Sequence, residues 1–294
     1  MSKFNISRLQ LFQTCEQKYK WKYVDDLEPR WDGVPKPLGT AFHSGVAEIY
    51  QGEDVLQATH NAVEKYYELV GKPIDNLTEK EAQQVGKGRL QLEAMLAHYP
   101  YVPERFEDIV AIEKDMEWEV VPGRSLVFRA DRLIRVNGAL WLHDTKTTGL
   151  EVNLMVKVQR LRTQYVGYAA GVEALTGEKL AGVMLDAVHK PPVYFKKTGE
   201  FSSMKEPGYV REPIHKTEAQ LAEFVEWFRI LTMRIEDMEP QGLWLKNTDA
   251  CLAYNRTCPY LNLCLRPEWS EGMKELYDKR EQDYADEGEE DAAE

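Results

Sequence analysis

Hydrophobic and polar positions along this chain repeat first with a helical period, then with a period near two, then helically again. Near the N-terminus, Ser7 and Gln10 have capping-box spacing and Ile6 can staple against Leu11, which predicts a helix from about Arg8. That helix would carry Phe12, Cys15 and Tyr19 on one face. After a polar, Pro-containing stretch from Asp25 to Leu38, a second helix is predicted from about Thr40 and carries His43. Two more follow over Asp54–Val70 and Thr78–His98, the latter opened by a Thr78/Glu81 capping box.

The period then shortens. Ile109–Val121, Ser125–Val136 and Ala139–Thr148 read as three strands. A helix is predicted over Leu154–Leu175, with Gly177 as its left-handed stop. Gly182–His189 reads as a strand, 190–212 as a loop or hairpin, and Thr217/Gln220 open a long amphipathic helix reaching about Met238. A cysteine-bearing segment, 251–264, comes next, and no internal repeat is visible.

Asn137-Gly138 between two β-rich runs is a strong hairpin signal, because both central residues of a type I′ turn need positive φ. Counting back from that turn sets Asp131 directly opposite Asp144, with Cβ atoms about 4.5–5.5 Å apart. Two facing carboxylates repel, and a divalent cation with oxygen ligands, Mg²⁺ or Mn²⁺, relieves the repulsion. Lys146, two residues beyond Asp144, points to the same face. Two carboxylates, a metal and a lysine near a water are the minimum equipment for phosphodiester hydrolysis. The competing reading is a surface hairpin with scattered charges, and a register shift or bulge would break the pairing. A second acidic-x-Lys triplet, Glu16-Gln17-Lys18, lies on a predicted helix, where i and i+2 do not face each other. Glu113, at the start of the preceding strand, is read as structural, with an extra carboxylate near the metal as the alternative; His143 alternates to the face away from Asp144 and is read as structural.

Charge qualifies this picture. The net charge of −12 runs against a phosphate-binding protein, yet residues 124–216 hold 15 Lys/Arg against 9 Asp/Glu. Nine acidic residues crowd Asp278–Glu294, so 269–294 is expected to be an acidic, disordered tail beyond a single domain over 1–268. With 43% hydrophobic residues the domain can bury a core. No membrane span and no signal peptide are predicted, which points to an intracellular, cytoplasmic setting in a bacterial or phage-infected cell.

That setting bears on the cysteines. Disulfides are rare in reducing compartments, so four thiols at Cys15, Cys251, Cys258 and Cys264 suit a [4Fe–4S] cluster or a structural zinc. A tie between residues 15 and 264 would close a very long loop, where such a constraint is most valuable in theory.

Taken in order, these residues resemble the RecB-like branch of the PD-(D/E)XK nucleases. The shared features are a helix from Ser7 to Cys15, Gly39-x-x-x-His43, Asp131 before Arg132, Asp144-x-Lys146, Gln164-x-x-x-Tyr168, and the C-terminal cysteines, of which Cys258 precedes a proline. The resemblance covers nearly the whole chain up to the acidic tail. It departs at Phe128, where the family often has glycine, and at Glu16, where it usually has proline.

The resemblance implies an α/β fold of restriction-endonuclease type: a mixed central β-sheet flanked by helices, with an iron–sulfur staple joining the N- and C-terminal segments. It implies that His43, Asp131, Asp144 and the carbonyl of Thr145 hold Mg²⁺ or Mn²⁺, and that Lys146 orients or activates water. Gln164 and Tyr168 would approach DNA. The expected activity is exonucleolytic, on single-stranded DNA or DNA ends, in recombination, repair or phage DNA processing. A Walker A sequence is lacking, so unwinding would fall to a separate helicase or recombination partner. The alternative is a non-catalytic DNA-binding or scaffold protein of the same fold with a zinc-stapled cysteine site.

Overall fold

The computed structural model describes residues 1–30, 35–71, 73–100, 108–253, 256–266, 268 and 270–280. The chain begins with strand β1 (Ser2–Phe4), helices α1 (Ile6–Thr14) and α2 (Glu16–Tyr19), a single π-helical turn, and strand β2 (Leu27–Pro29). Helices α3 (Pro35–Tyr50), α4 (Val55–Val70) and α5 (Glu79–Ala97) follow, then the long strands β3 (Asp108–Val121), β4 (Arg124–Val136) and β5 (Ala139–Thr148). Next come α6 (Val152–Gln159), α7 (Thr163–Thr176), β6 (Gly182–His189), the hairpin β7 (Val193–Phe195) and β8 (Phe201–Met204), β9 (Gly208–Ile214) and α8 (Glu218–Met238). Short elements close the chain: β10 (Leu252–Ala253), β11 (Arg256–Thr257), α9 (Leu261–Leu265), α10 (Ser270–Lys274) and β12 (Tyr277–Lys279).

A mixed sheet organises these elements. β3, β4 and β5 are antiparallel, β6 joins β5 in parallel, and β9 returns antiparallel on the far edge. Over 124–126, β4 pairs with β1 as well as β3, so β1 must lie on the edge that β5 uses farther along. β4 and β5 pair only from Val136–Ala139 to Arg132–His143, and beyond that point they part. A fork therefore opens on the β5 edge of β4, immediately before Asp131. Helices α1, α7 and α8 cover one layer around Leu126, Phe128 and Leu185, while α3, α4 and α5 pack on the other around Ile112 and Val188. Among the described residues no helix is long and apolar enough to cross a membrane.

Local chemistry explains most boundaries. Thr78 and Thr217 form the expected reciprocal capping boxes, and Gly177 takes a φ of 70° at the end of α7. α1 is capped by Asn5, whose Oδ1 accepts the Arg8 N–H at 2.7 Å, rather than by Ser7. Cys15 is extended between α1 and α2, which breaks the continuous face expected for Phe12, Cys15 and Tyr19. The helix expected over 154–175 is two helices, because α6 packs on β6 and β9 whereas α7 packs between β3 and α8. Of the segment expected as a disordered tail, residues 270–280 are folded: β12 pairs antiparallel with β2, and the Tyr277 ring stacks on Tyr260. Residues 281–294 lie outside the described residues.

Candidate active site

The hairpin carrying the aspartates forms in the register that the Asn137-Gly138 turn dictates, with φ of 52° and 76° at the two turn residues. Ladder alternation makes Ala130–Thr145 the next hydrogen-bonded pair after Arg132–His143. Instead the Thr145 N–H donates to Asp131 Oδ2 at 3.0 Å. The carboxylate thus replaces a ladder acceptor and props the fork open. The Thr145 carbonyl points toward the gap.

Side chains from four elements converge there. His43, from α3, has Nδ1 3.1 Å from Asp131 Oδ2. Lys146 donates to Asp144 Oδ1 at 3.0 Å, and Tyr165, from α7, donates to Asp144 Oδ2 at 2.8 Å. Among the described residues, one set of at least three His, Cys, Asp or Glu ligand atoms closes within 4.8 Å: His43, Glu113 and Asp131.

The charges in this cleft act on one another. Burial opposes ionisation of Asp131, but His43, Lys146 and Arg132 outweigh it and hold that carboxyl well below the usual range. Burial pushes the Asp144 carboxyl up, with Asp131 adding to the shift and Lys146 opposing it. Burial works against the Lys146 ammonium, yet Asp144 and Asp131 keep it protonated. Lys146 is therefore equipped to donate hydrogen bonds to a water or a phosphate oxygen. Burial, reinforced by Asp131, raises the Glu113 carboxyl.

A buried polar network supports the fork from the α3 side. Arg132 is fully buried and donates to Thr145 Oγ1, with its guanidinium 4.6 Å from the Tyr50 ring centroid. Its Nε reaches His143 Nδ1 at 3.4 Å, and His143 Nε2 lies 2.9 Å from Asp186 Oδ2. Those partners assign a neutral imidazole that accepts at Nδ1 and donates at Nε2. Burial and Arg132 accordingly push its pKa down to about 4. Asp186 is clamped in turn by Arg211 at 2.6 Å and by the Tyr99 hydroxyl.

The expected DNA contacts divide. Gln164 is half-buried in the first turn of α7. Tyr168 is buried, with its ring stacked on Phe128 at 4.7 Å. Phe128 explains this, since it occupies the position where the family often has glycine, and Gly171 makes room for its ring. The phenol that reaches the site is Tyr165. Residues 165–172 of α7 are all buried, so periodicity offered no means of choosing between the two tyrosines.

The four cysteines line one cavity of about 270 Å³, together with Trp21 and Tyr260. None forms a disulfide. Asn247 N–H donates to Cys15 Sγ and Trp21 Nε1–H to Cys264 Sγ, each at 3.5 Å. Burial raises the Cys258 thiol, and Cys264 and Cys15 add to the shift. Glu16, the other departure from the family pattern, ties this region without metal. Its carboxylate accepts from Leu245 N–H at 3.0 Å and from Arg234.

A family model described as the PD-(D/E)XK nuclease superfamily matches residues 3–265. The chain belongs to that superfamily. Its fold is similar to the crystal structure of a candidate exonuclease from Eubacterium rectale, with a TM-score of 0.51 at 16% identity, over 83% of this chain and 84% of the other. At that identity the likeness concerns the fold. A comparison with curated proteins finds no match. Of the two acidic-x-Lys triplets, Asp144-Thr145-Lys146 lies at the fork, and Glu16-Gln17-Lys18 lies beside Leu245, away from it.

Proposed function

We propose that this protein is a metal-dependent deoxyribonuclease of the RecB-like branch, hydrolysing phosphodiester bonds from DNA ends or in single strands. The carrying observation is the convergence of His43, Asp131, Asp144 and Lys146 at the β4–β5 fork. Imidazole and carboxylate donors suit a hard divalent ion such as Mg²⁺ or Mn²⁺. His43, Asp131, Asp144 and the Thr145 carbonyl would hold it; when bound it supplies Lewis-acid activation of phosphate and water. Lys146 stays an ammonium that positions water and neutralises phosphate charge. Tyr165 fixes the Asp144 carboxylate, and Gln164 contacts the DNA strand.

The cysteine cavity is proposed to hold a [4Fe–4S] cluster that staples the ends of the chain. A single zinc ion would draw four sulfurs to about 4 Å from one another at Zn–S distances near 2.3 Å. No three of these described sulfurs come within 4.8 Å. N–H···S hydrogen bonds to Cys15 and Cys264 suit cluster-bound thiolates. A separate helicase or recombination protein would supply unwinding.

The test uses end-labelled linear and covalently closed circular DNA, single- and double-stranded, with and without Mn²⁺. Mn²⁺-dependent loss of linear DNA, abolished in D144A and K146A, is expected; equal loss of circles would overturn the end requirement. Unchanged cleavage by both variants would overturn the site. Anaerobic purification should yield a brown protein containing iron and sulfide, whereas a colourless zinc protein would favour the zinc staple.

A further inference from the structure

We infer that Glu113 is an additional ligand of the catalytic metal, beyond the set that the family resemblance implies; the inference rests on the nuclease reading above. Glu113 lies on β3 between Ile112, opposite Arg132, and Lys114, opposite Ala130, so it stands directly across from Asp131. One ligand atom from each of His43, Glu113 and Asp131 lies within 4.8 Å of the others. This set brings together three separate elements, α3, β3 and β4.

The second observation concerns what Glu113 lacks. Its Oε1 is buried and has no hydrogen-bond partner among the described residues. A carboxylate retained for structure would have that oxygen satisfied, because an unanswered buried acceptor is costly. Of the nearby cations, Arg129 is held in a two-pronged pair with Asp115, Lys146 donates to Asp144, and Arg132 donates to Thr145 with its Nη1 left over, so none hydrogen-bonds Glu113 Oε1. Three carboxylates thus meet at the fork with one ammonium, one guanidinium and one imidazole beside them, which leaves negative charge in excess. A divalent cation answers both the orphaned oxygen and the surplus negative charge.

The backbone fixes this placement. Glu113 has a φ of 46°, in the left-handed region, inside a strand. Across it the β3–β4 ribbon changes layers: Ile112 packs with the α3–α5 side, whereas Met116 and Trp118 pack with α7 and α8. The twist aims Glu113 at the fork edge, between the two layers, where His43 arrives from α3.

Mn²⁺ binding to the full-length protein, measured by the electron paramagnetic resonance of free Mn²⁺, tests the inference without reference to activity. E113Q preserves size and should weaken Mn²⁺ binding at least about tenfold, as loss of even a supporting group does in metal sites. D131N serves as the reference for loss of an accepted ligand. E113Q binding as tightly as wild type, with D131N weakened, would overturn the role of Glu113 and leave the nuclease reading standing. Wild type and D131N binding alike would overturn the metal site itself. Should E113Q fold poorly, wild-type crystals soaked in Mn²⁺ decide the matter. A Glu113 oxygen at about 2.1 Å from the ion supports the assignment, and one beyond direct coordination overturns it.

Discussion

The Asp131 carboxylate accepts the Thr145 backbone N–H at 3.0 Å, in the place where the β4–β5 ladder would have turned to Ala130. One side chain therefore ends the strand pairing and faces His43 at the same time. These two duties can be separated by mutation. D131N keeps an oxygen acceptor for Thr145 and loses the charge; D131A loses both. Both variants should fail to bind Mn²⁺ tightly, while D131A should be less stable than D131N by about 1–3 kcal/mol in urea unfolding, the cost of an unsatisfied buried donor.

Tyr165 and Tyr168 stand one turn apart on α7 with different contacts. Y165F removes the 2.8 Å hydrogen bond to Asp144 and should cut Mn²⁺ affinity about 10-fold or more, with little change in fold. Y168F keeps the ring stacked on Phe128 and should leave Mn²⁺ binding unchanged. Calorimetric titration of both variants measures the contrast.

Gly171 is needed for space. A Cβ there would stand 2.6 Å from the buried Phe128 ring, so the ring would have to shift. G171A should cost about 1–3 kcal/mol of stability, and F128L in the same chain should recover part of it. Chemical denaturation of the single and double variants reads the coupling.

His143 predicts the acid limb of stability. Its pKa is pushed down to about 4, whereas the unfolded imidazole titrates near about 6.5. Below about pH 6.5 the unfolded chain takes up a proton that folded His143 refuses until about pH 4. Stability should therefore fall as pH drops through that window, by roughly 3 kcal/mol at most, and this contribution is absent above it. A flatter stability profile between pH 6.5 and 4 is expected for H143Q, measured by urea unfolding across that range.

Glu16 is expected to hold the clasp in the absence of any cluster. E16A leaves the Leu245 N–H without its carboxylate and removes the partner of Arg234. Amide exchange of the cluster-free protein should accelerate around 245–264 more than in α3–α5; uniform exchange would refute the tie.

How far the site could be read depended on whether its register was set nearby. Asn137-Gly138 lies a few residues from Asp131 and Asp144, with no bulge between, so counting gives the register as far as Arg132–His143; the ladder ends there, and the fork that parts Asp131 from Asp144 has no local sign. Glu113 is different. Counted from the Pro122-Gly123 turn it would face Arg132, but a bulge between Glu119 and Val121 shifts the register by one and brings it opposite Asp131. Sequence patterns do not announce such a bulge. The capping boxes at Thr78 and Thr217 were legible because they are local, whereas Asn5 prevailed over Ser7 because β1 fixes where the chain enters α1. The pairing of β12 with β2 joins residues far apart in the chain and leaves no local trace.

The clasp between the chain's ends also sets an order of events during synthesis. Trp21 and Cys264, bonded at 3.5 Å, are separated by 243 residues. At about 5–20 residues per second, translation delivers the second partner roughly 10–50 s after the first. Through that interval Trp21 and Leu27 must wait for Tyr260 and Leu263, which complete their cluster, although the fork at Asp131 can already pair. The nuclease centre can thus take shape on the ribosome before its ends are fastened, and a chain stalled short of residue 264 would carry the cleft without its clasp.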